Sequence, residues 1–227
     1  DMVITSPPYP GNMKWGEFWY PEHFTEAHDW LERIWKESIR LLKPGCKMAI
    51  NIANTQRRPY LANTAELHTR IRNYAEPLGE IIWDKGYGQL GTAWGSYCNP
   101  SDLSLADQHE YILLFRKPGN REKQPGIYYI NPREFKSWRN SIWRFAPAKA
   151  SKVGHPFSFP EELPKRLITL YTYKGEVILD PFCGSGTTCV MAKKMERRFI
   201  GIEKDVRYCQ MARTNIQQID AIQTELL

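Results

Sequence analysis

A chain of 227 residues, 42% of them hydrophobic, is long enough for one large domain with its own core. No apolar run reaches the roughly 18 residues of a membrane span. Five cysteines, scattered at 46, 98, 183, 189 and 209 with no Cys-x-x-Cys pair, argue against a zinc site or a disulfide framework and point to a reducing, cytoplasmic setting.

The formal charge of +6 is unevenly spread: residues 116–152 hold ten Lys or Arg against two Asp or Glu, a net of +8, so the rest sums to about −2. Residues 1–5 (DMVIT) form a short β-branched run stopped by Pro7-Pro8, which predicts a buried strand ending in a loop. Residues 25–42 read as a helix, with Thr25 as N-cap, Glu26 and Asp29 in the first turn, and Pro44-Gly45 beyond its end. Its apolar face runs through Trp30, Ile34 and Leu41 and is widened by Leu31, Trp35 and Leu42. A strand at 47–52 (KMAINI), a helix at 63–76 and a strand at 80–84 (EIIWD) follow. Residues 85–109 are rich in Gly, Ser and Asn without periodicity, and a loop that long is usually functional or mobile.

A strand at 110–116 (EYILLFR) leads into the basic segment, which also carries Tyr128, Tyr129, Phe135, Trp138, Trp143 and Phe145. Interleaved cations and aromatics suit a phosphate backbone and stacked bases; a solvated basic loop with anchoring aromatics is the plainer alternative. The remaining elements are a helix at 159–173, a strand at 176–180 (EVILD), a helix at 187–195, a strand at 199–203 (FIGIE) and a last helix at 205–219. Six strands alternating with helices imply an α/β fold with a mainly parallel sheet covered on both faces.

The stretch EVILDPFCGSGTT (176–188) joins a strand to a helix through a Gly-x-Gly turn. Small residues let the backbone approach a ligand closely, and the helix start offers free N–H groups. Glu203, at the tip of the next strand, can accept hydrogen bonds from both hydroxyls of a ribose. Cys189 stands where a dinucleotide fingerprint has its third glycine, and there is no Gly-Lys-Ser/Thr. A nucleoside cofactor without a pyrophosphate fits this half-site better, and S-adenosylmethionine is the common one.

TSPPY (5–9), followed some 175 residues later by DPFCGSGTT (180–188), resembles the S-adenosylmethionine-dependent DNA amino-methyltransferases, and the motif order looks like their circularly permuted β class. WDKG (83–86), HEYILLFRK (109–117) and HPFSFPEELPKRLI (155–168) resemble family segments in family order, so the likeness spans nearly the whole chain. It implies a Rossmann-like methyltransferase fold: a mainly parallel, seven-stranded sheet with one antiparallel strand. On that map residues 1–5 are the fourth strand and the third lies upstream of Asp1, so the natural protein is expected to carry residues before Asp1. Residues 1–115 and 153–227 would form the catalytic domain, and 116–152 an inserted target-recognition segment.

An aromatic exocyclic amine is a poor nucleophile because its lone pair is delocalised. Two acceptors aimed at its hydrogens help, and Ser6 Oγ and the Pro7 carbonyl are the natural pair. Pro7 and Pro8 present oxygens without competing N–H donors, and Tyr9 would stack on a base flipped out of the duplex. The surplus proton would leave to water or through Ser6. The family reading gives Asp180, Phe182, Gly184, Ser185, Gly186, Thr187 and Glu203 to the cofactor, with His155, Phe157 and Phe159 closing over its methionine end. A loop-capping role for His155 is an equal alternative. Arg133, Lys136, Trp138, Arg139 and Arg144 are the candidates for phosphates or guanine edges, with Trp94 as a further contact. His109 and Glu110 read as strand-edge residues, since direct attack requires no second base. Ser rather than Asp before Pro-Pro-Tyr is similar to members that methylate N4 of cytosine. The rivals are N6 of adenine, an RNA substrate, and a catalytically silent DNA-binding module. Duplex DNA is the expected partner and a cognate restriction endonuclease a candidate genetic one; neither metal nor membrane is expected.

Overall fold

The computed structural model describes residues 1–11, 19–55, 59–86, 96, 99–102, 105, 108–122, 130–148 and 159–225, with side chains to 219. Its strands are β1 (Met2–Thr5), β2 (Lys47–Ile52), β3 (Glu76–Asp84), β4 (His109–Arg116), β5 (Ile142–Arg144), β6 (Val177–Asp180) and β7 (Arg198–Gly201). Its helices are α1 (Phe24–Leu41), α2 (Asn63–Ile71), α3 (Pro132–Trp138), α4 (Glu162–Tyr171), α5 (Thr187–Lys194) and α6 (Val206–Glu225).

All these strands form one sheet in the order β5-β3-β4-β2-β1-β6-β7. β1 runs parallel to β2 and β6, β6 to β7, and β3 to β5, while β4 is antiparallel to both β2 and β3. The expected single antiparallel strand is therefore β4. β1 is buried along its whole length, as a central parallel strand with helices on both faces must be. Its side chains alternate between two cores. Val3 joins Leu31, Trp35, Met48, Ile50, Leu67 and Phe115 beneath α1 and α2. Met2 and Ile4 join Ala49, Ile112, Trp143, Leu167 and Ile168 on the face covered by α4 and α5.

Several expectations are corrected. Pro21 opens a short 3-10 turn (Pro21–His23) that runs straight into α1, so Thr25 lies inside the helix and His23 holds the cap position. The buried stripe of α1 is Ala27, Leu31, Trp35 and Ile39, at four-residue spacing, and Leu41 is left 55% exposed. α2 ends at Ile71 because β3 begins at Glu76, despite Pro77 and Gly79. That end of β3 pairs only with β4, through an irregular step between Pro77 and Gly79, and β5 reaches it only at Ile82–Asp84. A proline is tolerated where a strand has a free side.

The basic segment is also more ordered than a loop. Asn131 caps α3 by accepting from the Arg133 amide at 2.8 Å, with Pro132 at the first helical position. β5 then extends the sheet. Trp138 is thereby corrected: it is buried, not presented at the surface, and its carbonyl accepts from Trp143 Nε1 at 2.8 Å. The Arg166 guanidinium lies over the rings of Trp138, Trp143 and Phe145.

Candidate active site

From β1 the chain crosses through α1 to β2, and from β6 through α5 to β7 on the opposite side. The crevice beyond the C-terminal ends of β1 and β6 is thus a topological switch point, where open α/β sheets bind ligands. Both motifs singled out in the sequence end there. Thr5 Oγ1 donates to Asp180 Oδ1 at 2.7 Å and ties one motif to the other across 175 residues of chain.

Asp180 is buried and accepts three hydrogen bonds: from Thr5, from Thr188 Oγ1 at 2.6 Å and from the Phe182 amide at 3.1 Å. Burial nevertheless pushes its carboxyl up to about 6, against the opposing pull of those donors. It reads as the clamp that joins the two loops. Phe182 turns toward α1, with its ring centroid 6.0 Å from those of both Trp30 and Trp35.

The glycine loop closes tightly on α6. Gly186 has φ of +85°, and a Cβ on it would stand 2.9 Å from Ala212 Cβ. A second glycine serves packing alone: a Cβ on Gly201 would stand 2.7 Å from Cys189 Sγ. Glu203 lies just past β7 and takes the Gly184 amide on Oε2 at 3.0 Å and the Asp205 amide on Oε1 at 2.8 Å. Each oxygen keeps a lone pair for a sugar hydroxyl. Ser185 Oγ is buried without a hydrogen-bond partner, and Asn215 Nδ2 holds the Ser185 carbonyl at 2.9 Å. Thr187 opens α5 from a half-buried position. A left-handed glycine turn, an orphaned hydroxyl and a ribose-ready carboxylate fit a nucleoside with a short polar tail. Phe159 is half-buried and packs on the core under α4. His155, Phe157 and Trp94 lie outside the described residues.

On the β1 side, Ser6, Pro8 and Tyr9 are half-buried and Pro7 is buried. The Tyr9 hydroxyl reaches inward to a polar cluster that the sequence reading missed. It stands 3.2 Å from Ser6 Oγ, donates to Glu110 Oε2 at 2.9 Å and accepts from Asn51 Nδ2 at 3.0 Å. Asn51 also donates to Glu110 Oε2 at 2.6 Å, and Lys85 Nζ holds Glu110 Oε1 at 2.5 Å. Burial and the neighbouring Glu110 charge raise the Tyr9 phenol well above its ordinary value, so it stays protonated. The expectation that Glu110 is only a strand-edge residue is thus corrected. β4 runs antiparallel, so its first residues arrive at the same end of the sheet as the last residues of β1 and β2. An acidic residue opening a strand whose neighbours end in polar residues was the available signal. Behind the loop, Asn63 Nδ2 donates to the carbonyls of Pro10 at 3.1 Å and Ala53 at 2.9 Å, while its Oδ1 meets buried His28 Nε2 at 2.9 Å.

Arg133, Lys136 and Arg139 are exposed and spaced three apart along α3 and its cap. Arg144, at the end of β5, is exposed and donates to Asp84 Oδ2 at 2.8 Å. Among the described residues no His, Cys, Asp and Glu group could hold a metal ion, and no helix is long and apolar enough to cross a membrane.

A family model described as DNA methylase, covering the N6 and N4 types, matches residues 1–214. The type II methyltransferase M.MthZI of Methanothermobacter thermautotrophicus is 27% identical over 267 aligned positions that span 100% of this chain and 74% of that protein. The DNA adenine methyltransferase YhdJ of Escherichia coli K12 is 27% identical over 93% of this chain and 74% of its own length. Among solved structures, the TTHA0409 DNA modification methylase of Thermus thermophilus, complexed with S-adenosyl-L-methionine, superposes with a TM-score of 0.77 at 29% identity, over 96% of this chain and 86% of that one. With the switch-point crevice, the glycine turn and the Ser-Pro-Pro-Tyr loop converging on one site, the chain belongs to the DNA methylase family of N6 and N4 amino-methyltransferases, and S-adenosylmethionine is its methyl donor.

Proposed function

We propose that the protein methylates the N4 amino group of cytosine within a specific duplex DNA sequence, by flipping the base and attacking the methyl group directly. The observation that carries this reading is the 2.7 Å bond from Thr5 to Asp180, which sets an amine-accepting turn beside a cofactor loop. Bound S-adenosylmethionine supplies a methyl group on a sulfonium and leaves as a neutral thioether.

The chain's own residues do the rest. The glycine turn from Gly184 to Thr187, with Ser185, and the Glu203 carboxylate hold the donor's polar ends, and Phe182 lines the space between the two loops. Ser6 Oγ and the Pro7 carbonyl accept from the two amino hydrogens and turn the nitrogen lone pair toward the methyl group. Such preorganised acceptors act through position and fixed dipoles, at no reorganisation cost in the reaction. The Tyr9 ring offers the extruded base a stacking face, worth about 1–3 kcal/mol. Arg133, Lys136, Arg139 and Arg144 bear on the duplex, while Trp138 and Trp143 anchor their support from below.

The likeness to a DNA adenine methyltransferase over 93% of the chain keeps N6 of adenine as a second reading. One experiment separates the two. DNA from a host expressing the protein is digested to nucleosides and, in parallel, sequenced for modified bases. N4-methylcytosine at one recurring sequence is the expected result. N6-methyladenine alone would overturn the choice of base, and unmodified DNA would overturn the proposal.

A further inference from the structure

The direction of the hydrogen bonds around Tyr9 follows from counting protons. A tyrosine hydroxyl has one hydrogen to give, and the 2.9 Å contact to the Glu110 carboxylate uses it, since a carboxylate only accepts. The Asn51 amide nitrogen, 3.0 Å from the same hydroxyl, only donates. In the 3.2 Å contact between Ser6 and Tyr9 the serine must therefore be the donor. With its hydrogen committed to Tyr9, Ser6 Oγ presents only lone pairs to the crevice, which is what an amine N–H requires. The orientation of Ser6 is thus decided by a carboxylate 104 residues further along the chain.

Resting on the amino-methyltransferase reading above, we propose that Glu110 is a positioning residue of the methyl-transfer centre: through Tyr9 it fixes Ser6 as an acceptor, and it is the final acceptor of the proton the reaction releases. The step balances. The nitrogen lone pair becomes the new N–C bond, sulfur keeps the electrons of the broken S–C bond, and the nitrogen is left with one proton too many. That proton passes to Ser6 Oγ as the serine hydrogen passes to Tyr9 Oη and the tyrosine hydrogen to Glu110 Oε2. Serine and tyrosine end neutral, and Glu110 ends as a neutral acid.

The geometry favours this over a purely structural carboxylate. Lys85 grips the opposite oxygen at 2.5 Å, so Oε2 is held facing Tyr9. The Glu110 side chain keeps 14% exposure, a route for the proton to reach water after turnover. Asn51 steadies both Tyr9 and Glu110 without competing for the proton, because it only donates to them.

The test is single-turnover methyl transfer to duplex DNA by the full chain, with cofactor and DNA dissociation constants measured alongside. Glu110→Gln should slow transfer about 10²-fold, within the range of a lost proton acceptor, and leave both constants unchanged. Tyr9→Phe should cause a similar loss, and the double variant no further one, because the two act as a unit. Lys85→Met frees the carboxylate from its other side and should lower the rate only while Tyr9 is intact; this arm stands even if the glutamine variant does not fold. A folded Glu110→Gln protein with the wild-type rate, or losses that add in the double variant, would overturn the relay. Wild-type protein that methylates no DNA would instead bring down the functional reading beneath it.

Discussion

Asp180 holds a carboxylate where water does not reach, and burial raises its pKa from 3.8 to about 6. Because the folded value lies above the unfolded one, the stability it contributes is complete below about 4 and lost as pH rises through about 6. A shift of about two units corresponds to roughly 3 kcal/mol of penalty at neutral pH. Asp180→Asn is therefore expected to gain up to about 3 kcal/mol on the wild type between about pH 4 and pH 8, read from denaturant unfolding at both. An identical difference at both pH values would show that Asp180 carries no such penalty. Ser6 and Glu203 separate differently. Ser6→Ala should slow methyl transfer with little change in cofactor affinity. Glu203→Ala removes the acceptor for the Gly184 and Asp205 amides as well as for the ribose. It should weaken cofactor binding about 10–100-fold, the scale of a lost hydrogen bond to a charged group. Equal effects of both changes on rate and affinity would mean that the roles are misassigned.

At the scale of elements, the site depends on how closely α6 approaches the glycine turn. Gly186→Ala meets two separate costs: a left-handed φ of +85°, and a Cβ 2.9 Å from that of Ala212. Together they should destabilise the fold by about 2–4 kcal/mol. Adding Ala212→Gly should recover only the packing part, since it leaves the backbone cost in place. Full recovery would show that the dihedral is not strained. The α3–β5 unit is likewise held from within. Trp143 is buried and Trp83 donates from Nε1 to the Phe145 carbonyl at 2.9 Å, so the exposed cations of α3 stand on a rigid base.

For the whole molecule, charge placement matters more than total charge. The excess of +8 in residues 116–152 is carried partly by α3, at one end of the sheet order, on the side of β5. If Arg133, Lys136 and Arg139 each neutralise one phosphate, replacing all three with glutamine should flatten the slope of log affinity against log salt by roughly 3. Titrations on duplex DNA at several ionic strengths would read this directly. An unchanged slope would place the phosphate contacts elsewhere. Arg144 is left out of this set because its loss also breaks the ion pair with Asp84.

Local signals carried much of the molecule. The β-branched runs, the strand–glycine turn–helix unit and the Ser-Pro-Pro-Tyr stop are written in consecutive residues, so their backbone chemistry determined the central strands, the cofactor turn and the acceptor pair. The elements it did not reveal were those whose form depends on a neighbour. β3 runs on through Pro77 and Gly79 because β4 is there to pair with it, and β5 exists because Trp143 has a core to enter. Glu110 is the sharpest case at the site. In sequence it is an acid opening an apolar strand. Only the antiparallel insertion of β4 brings it to the end of β1, within 2.9 Å of Tyr9. The sequence by itself determined which groups meet the amine and the methyl donor. Tertiary structure decided which way their hydrogen bonds point, because proton direction is a property of a closed network and no single segment contains that network.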